Sequence, residues 1–254
     1  MKLTVIILTK NVENQIEDCI KSVQPLDAEI LILDDHSSDK TCSIALALGA
    51  KVSPVPDDMT GFGPKRQYAV SLATNDLVFH LDSDERVTPH LIAELKSCTK
   101  ALKSSSIIEI PRLTYLFSKP VRHCGWYPDH KRRIYNRKHT NFSAALVHED
   151  VEKKKDSELI RLKNPLLHYS YPTLASFYKK QALYPVLWGE EKALKHKQVS
   201  LLSIPFRAMF FFFKTYFLRL GFLDGKTGLW LALANMSYEC SKYLCLYEAS
   251  QKKK

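Results

Sequence analysis

The chain of 254 residues carries 37 Lys and Arg against 27 Asp and Glu, a formal net charge of +10, with 45% hydrophobic residues and 11% aromatics. That apolar mass supports a sizeable core and excludes global disorder, while eight Gly and twelve Pro exclude a collagen-like or low-complexity chain. Six Cys with no CxxC pair make no disulfide scaffold and point to a reduced, cytosolic protein.

The start, MKLTVIILTKN, lacks the long apolar core and small-residue cleavage site of a signal peptide, and Leu3–Thr9 reads as a buried strand. Glu13–Val23 follows as a helix with Ile16, Ile20 and Val23 on one face. Residues 28–33 form a second buried strand, ending in Asp34-Asp35-His36-Ser37-Ser38. A helix is expected over 39–48, capped by Ser37 or Ser38 and stopped by Gly49. Residues 51–55 read as a third strand, 64–72 as a helix after a Gly-Phe-Gly turn, and 77–81 as a fourth strand running into Asp82-Ser83-Asp84. Alternation of this kind is the pattern of a parallel α/β sheet.

In such sheets ligands bind beyond the carboxyl ends of the strands. Thr9 and Asn11 follow the first strand, Asp34 and Asp35 the second, Asp82 and Asp84 the fourth. Asp82 and Asp84 are two apart, so in extended backbone both carboxylates point to one side. They repel unless a cation sits between them, and hard oxygen ligands suit Mg²⁺ or Mn²⁺.

Charge divides the chain. Residues 1–99 are net acidic, whereas 100–254 carry the whole basic excess. This is no uniform nucleic-acid-binding surface; it suggests a first part that manages cations and a remainder that meets phosphates or lipid head groups. The Arg forks of Arg132 and Arg133 suit phosphate oxygens, and Trp126 suits stacking on a sugar face or a place in the core. Residues 199–223 are mostly apolar, with Phe210 to Phe213 in a row, but Arg207, Lys214 and Arg219 interrupt them. Its longest uncharged stretch is far below the roughly 18 residues of a membrane span. Spaced cations on an apolar helix fit one lying in the membrane interface, the alternatives being a buried hairpin or a homo-oligomer contact. A second helix is expected over 229–246, and the Lys252 to Lys254 tail would be drawn to anionic lipid.

The runs VIILTKN, ILDDHSSDKT and HLDSDERVTP together resemble the inverting family 2 glycosyltransferases. GFGPKRQYAV, HCGWYPDHKRRIYNRK, ALVHEDVE and NPLLHYSYPTL extend the resemblance to the bacterial lipopolysaccharide-core glucosyltransferase subgroup, over about 170 residues. The resemblance implies a GT-A nucleotide-binding fold over 1–175, an α/β architecture with a mostly parallel sheet. The apolar run and its spaced cations make 176–254 a helical region expected to associate with a membrane or to form a dimer contact. It implies that Thr9 and Asp35 contact the nucleotide base, with Asn11 and Asp34 in the same pocket. Lys65 and Arg66 approach the nucleotide, Asp82 lies near ribose and metal, and Asp84 holds a Mg²⁺ or Mn²⁺ ion on the diphosphate. The base is expected at Glu149, with Asp150 as the alternative; the QxxRW motif that follows the base region in other members is missing here.

The implied activity is inverting transfer of a hexose from a nucleotide-sugar, UDP-glucose in the first instance, to a lipid-linked inner-core saccharide. The implied location is the inner face of the cytoplasmic membrane, and nucleic acid is not a partner. A polyprenyl-phosphate acceptor and a non-catalytic nucleotide-binding membrane adaptor are the rival expectations.

Overall fold

A computed structural model describes residues 2–99, 102–143 and 150–251. Contacts divide the chain into two compact units. One is Met1–Arg112 with Asp129–His168, and the other is Leu113–Pro128 with Tyr169–Lys254.

In the first unit the expected alternation is present. It runs β1 (Leu3–Thr9), α1 (Glu13–Val23), β2 (Glu29–Asp34), α2 (Thr41–Ala47), β3 (Lys51–Pro54), α3 (Phe62–Leu72) and β4 (Leu77–Asp82). After β5 (Glu85–Val87) and α4 (Pro89–Cys98) come β6 (Ser106–Leu116), β8 (Asp129–Asn136), β9 (Glu158–Arg161) and β10 (Leu166–Tyr171), while β7 (Lys119–Pro120), between β6 and β8 in the chain, falls in the second unit. The sheet order is β3-β2-β1-β4-β8-β6-β10-β5, with β7 and β9 beside β6. β1 to β4 are mutually parallel, β8 runs antiparallel to β4 and β6, and β5 runs antiparallel to β10.

Alternation within the strands builds a core on both faces of the sheet. Val5, Ile7, Ile30 and Ile32 join α1 residues Ile16, Ile20 and Val23 in one cluster. Ile6, Leu31, Leu33 and Val78 face the other way, toward Ala69 and Val70 of α3. Glu29 ties three elements together: Thr4 Oγ1 (2.6 Å), Thr74 Oγ1 (2.5 Å) and Lys51 Nζ (2.6 Å) all donate to its carboxylate.

Two helix starts differ from expectation. α2 begins at Thr41 rather than 39, because Asp39 accepts from both the N–H (2.9 Å) and the hydroxyl of Thr41 (2.5 Å). Ser37 and Ser38 do not cap it; they bond Asp34 and Asn11. α3 starts at Phe62, directly after Gly61, whose φ of +81° is the left-handed region that glycine tolerates.

The second unit is helical: α5 (Leu174–Leu194), α6 (Ile204–Phe213) and α7 (Gly225–Gln251). Thr173 and Ser176 form a reciprocal capping box at the start of α5. Phe177 of α5, Leu231 of α7, and Leu116, Val121 and Cys124 share a cluster, against which Trp126, Tyr171 and Trp230 pack. α5 and α7 approach closely: a Cβ on Gly189 would lie 2.8 Å from the Cys245 carbonyl carbon. The division at 175 is therefore drawn differently by the contacts, because 113–128 cluster with the helices.

The apolar run at 199–223 folds as α6 between short 3₁₀ turns, with a π turn at Lys214–Leu218. Pro205 sits in the first turn of α6 and starts it rather than kinking it. Leu201–Leu218 is long and apolar enough to cross a membrane by length and composition alone. Little of it is covered: Leu202 is 81% exposed and Phe206 78%.

Candidate active site

The carboxyl ends of β1, β2 and β4 are neighbours in the sheet, so the residues after them share one edge. At the β1/β2 end, the Thr9 hydroxyl donates to Asp34 Oδ1 (2.8 Å) and the Ser37 N–H donates to Asp34 Oδ2 (2.8 Å). Both Thr9 and Asp34 are buried. Burial alone would raise the Asp34 pKa, yet the bonds from Ser37 and Thr9 hold it below its ordinary value. Asn11, at φ +52°, accepts from the Ser38 N–H through Oδ1 (2.8 Å). Thr9 is expected at the nucleotide base with Asn11 and Asp34 in the same pocket; here their hydrogen bonds shape the loop that follows β2.

Asp35 is the half-exposed acid of this end. Lys65 Nζ lies 2.9 Å from its Oδ2 and Lys10 Nζ 3.2 Å from the same atom. The hydrogen bond from Lys65, with Lys10, lowers the Asp35 pKa. The structure thus joins Asp35 and Lys65 in an ion pair at this strand end.

At the end of β4, Asp82 is held on both sides. Arg66 Nη2 donates to Oδ1 (2.8 Å) and Arg133 Nη2 to Oδ2 (2.7 Å). Arg133 also donates to Glu85, which has no exposure at all. Burial opposes ionisation of Asp82, but Arg133 and Arg66 outweigh it and keep its pKa well below the carboxylate range. Glu85 is pushed the other way by burial, with Asp82 adding repulsion against the pull of Arg133.

Three of the expected site residues are tied to one another here. Arg133, 4% exposed, is committed to Asp82 and Glu85 and is not presented to a diphosphate. Arg66 is likewise buried, on Asp82 and over the Phe142 ring (5.0 Å). Asp82 has both oxygens on guanidinium groups, so it is not arranged as a metal ligand.

Asp84 is arranged differently. Its Oδ2 lies 3.3 Å from His168 Nε2. An oxygen and a nitrogen donor at this separation suit one divalent cation whose remaining positions are filled by phosphate and water. Among the described residues no group of three or more His, Cys, Asp or Glu could hold a metal ion. His168 went unnoticed in the sequence. In the strand Leu166–Tyr171, His168 lies on the buried face with Leu166 and Ser170, and register with Glu85 brings it to the turn.

Glu149 lies outside the described residues. Asp150 is exposed, with Arg132 Nη1 3.3 Å from its Oδ2. Arg132 also donates to the Val151 carbonyl (2.7 Å), so it braces the Phe142–Val151 bridge rather than standing open to an anion. Trp126 belongs to the helical unit, its ring 5.7 Å from that of Tyr171. Beneath Asp82, the buried His80 meets the Tyr135 hydroxyl (3.1 Å), which donates to Asn141 (3.0 Å). Burial, with Arg66 and Arg133, lowers the His80 pKa well below its ordinary value and keeps the ring neutral.

The profile of glycosyl transferase family 2 matches residues 4–181, most of the α/β unit and the start of α5. The chain belongs to this family. It is 27% identical over 236 residues to an uncharacterized glycosyltransferase of Rickettsia bellii (strain RML369-C), covering 89% of this chain and 80% of that one. It is 22% identical over 239 residues to the lipopolysaccharide core biosynthesis glycosyltransferase LpsC of Rhizobium meliloti (strain 1021), covering 91% and 83%. Among solved structures, S. aureus TarS 1-349 in complex with UDP aligns with a TM-score of 0.51 at 17% identity, covering all of this chain and 92% of that one. That likeness shows the fold, an α/β architecture consistent with GT-A. In this family 2 glycosyltransferase the acidic residues after β2 and β4 lie along one edge of the sheet.

Proposed function

We propose that this glycosyltransferase moves a hexose, glucose in the first instance, from a UDP-activated donor to an inner-core saccharide of a lipid-linked acceptor, with inversion. The observation that carries the reading is the pairing of Asp84 with His168 beside an Asp82 neutralised by two arginines. Asp35 and Lys65 meet the nucleoside. Asp84 and His168 would hold Mg²⁺ or Mn²⁺, which when bound supplies positive charge to the departing diphosphate. Glu149, or Asp150 if Arg132 releases it, takes the proton of the acceptor hydroxyl. The acceptor oxygen bonds to the anomeric carbon as the bond to the nucleoside diphosphate breaks, and the diphosphate leaves with the electron pair. A base so placed contributes roughly 10²–10⁴-fold.

The similarity to LpsC supports the acceptor class, since that protein is named for lipopolysaccharide core biosynthesis. The exposed apolar residues of α6 support work at the inner face of the cytoplasmic membrane, where a lipid-linked acceptor is presented. The test is a thermal-shift panel of nucleoside diphosphates with and without Mn²⁺. A ligand at 100 times its Kd adds about 2.7 kcal/mol, which for a chain of this size moves the midpoint by roughly 5–10 °C. A Mn²⁺-dependent shift with UDP, lost in Asp84→Ala, is expected. No shift with any nucleoside diphosphate would sink the proposal. Transfer from a panel of UDP-hexoses to deacylated core oligosaccharide then identifies sugar and acceptor.

A further inference from the structure

Glu85 opens β5, and its side chain is fully buried. A buried carboxylate is costly unless its oxygens are matched, and these are. Oε2 accepts the backbone N–H of Asp82 (3.0 Å). Oε1 takes Arg133, and Arg112 Nη1 stands 3.7 Å away. Arg133 reaches on to Asp82 Oδ2, while Arg66 fixes Oδ1 from α3. Asp82 is therefore held at its backbone and at both carboxylate oxygens, and Glu85 supplies or orients two of these three holds.

The geometry beyond Glu85 matters as much. Asp84 precedes it directly, in a turn closed by the Asp82–Glu85 bond. On its other side, Glu85 stands opposite His168 in the β5–β10 ladder. One buried side chain thus governs how the chain leaves β4 toward Asp84, from a backbone position registered with His168. The two donor atoms, 3.3 Å apart, come from the turn between β4 and β5 and from β10, which pairs with β5 through Glu85, Arg86 and Val87.

We infer that Glu85 is a positioning residue for the transfer reaction, setting the placement of Asp84 against His168 through Asp82 and Arg133. The inference rests on the proposed reading of Asp84 and His168 as the pair that takes the divalent cation. Glu85 itself does not touch the substrate. Glu85→Gln keeps an acceptor for the Asp82 N–H and removes the charge that anchors Arg133 beside Asp82. Arg133→Lys keeps the charge but replaces the planar guanidinium, whose Nη2 donates to both acids, with an ammonium on a differently shaped stem.

The experiment is Mn²⁺ binding read by electron paramagnetic resonance in the presence of UDP, on wild type and both variants. UDP binding without metal and the thermal midpoint are recorded alongside. Residues that orient metal ligands typically change metal affinity by about 10–100-fold. The expected result is about a tenfold weaker Mn²⁺ affinity in folded Glu85→Gln and Arg133→Lys, with metal-free UDP affinity within about twofold of wild type. A purely structural role would lower the midpoint and leave the Mn²⁺ affinity alone, and that result overturns the inference. Loss of folding in both variants also overturns it, since Glu85 would then serve the core. Wild type that fails to bind Mn²⁺ sinks the metal pair together with the inference. Wild-type binding with unchanged variants sinks the inference alone.

Discussion

In the α/β unit, the groups that are expensive to bury are buried and matched: Asp34, Arg66, Glu85 and Arg133 each meet a partner of opposite charge or complementary hydrogen bonding. In the helical unit the imbalance is reversed. Leu202, Phe206, Met209, Phe210, Phe213, Phe217 and Leu218 lie in one stretch and remain exposed. The first unit uses its low-dielectric interior to fix charges at a strand edge, where small displacements would change chemistry. The second carries more apolar side chains than its own packing covers. A contiguous exposed patch of that kind marks a surface that meets something apolar.

The largest effect is expected where the first unit is most committed. Arg133→Ala leaves Asp82 and Glu85 facing each other without their shared cation. Removing one partner of a buried ion pair costs about 3–5 kcal/mol, so the thermal midpoint should fall by roughly 6–20 °C. A fall of less than about 2 °C would show that this cluster is not what it is described to be. Asp84→Ala comes next and should act on chemistry instead of stability. Loss of at least about a hundredfold in kcat/KM, about 2.7 kcal/mol, is expected with the midpoint unmoved. Near-normal turnover in that variant would remove Asp84 from the cation site.

The strand ends were legible because a parallel sheet places its loops by a rule, and alternating apolar runs reveal the strands. Leu3–Thr9 and Glu13–Val23 match expectation to the residue. The roles within the site were less legible. Asp82 and Asp84 look equivalent in the string DSD, and only Arg66 and Arg133, distant in sequence, tell them apart. His168 and Glu85 gained their importance from an antiparallel pairing between β5 and β10 that no local pattern announces. Trp126 packs against the cluster of Phe177 and Leu231, the core place that the sequence left open beside a sugar face. Its surroundings are set by Tyr171 and the helices, not by the strand that follows it in sequence.

A smaller effect tests the matching of charges away from the site. Burial would raise the Glu29 pKa, but Lys51, Thr4 and Thr74 together lower it from 4.5 to about 2. A carboxylate depressed in the folded state stabilises the fold fully above the unfolded value and loses that contribution as pH falls. The relevant window therefore runs from pH 4.5 down to about 2. With the exposed Lys51 discounted, the contribution is about 2 kcal/mol. Glu29→Gln should lower stability at pH 7 by about that amount and flatten the acid limb measured by urea unfolding across that window. An unchanged acid limb would mean that the fold does not depend on this pin.

The smallest expected effect sharpens the other side of the comparison. Truncating the helical unit would not test its surface, because Leu231 of α7 shares a cluster with Phe177 of α5 and its loss would open the core. Point changes on α6 avoid this. Phe206 and Phe210 are four apart on one face and exposed, whereas Ala208 is buried and Arg207 lies over the Tyr243 ring (4.9 Å). An aromatic side chain half-sunk into a bilayer interface contributes on the order of 1 kcal/mol, so Phe206→Ser with Phe210→Ser should weaken vesicle binding by at least about tenfold. The measurement is sedimentation with vesicles of phosphatidylethanolamine and phosphatidylglycerol, the thermal midpoint serving as a control. Wild type that stays in solution, or a double variant that binds as wild type does, would remove the membrane as the partner of this face. If size-exclusion chromatography then showed a wild-type dimer that the double variant splits, a second copy of the chain would take the membrane's place.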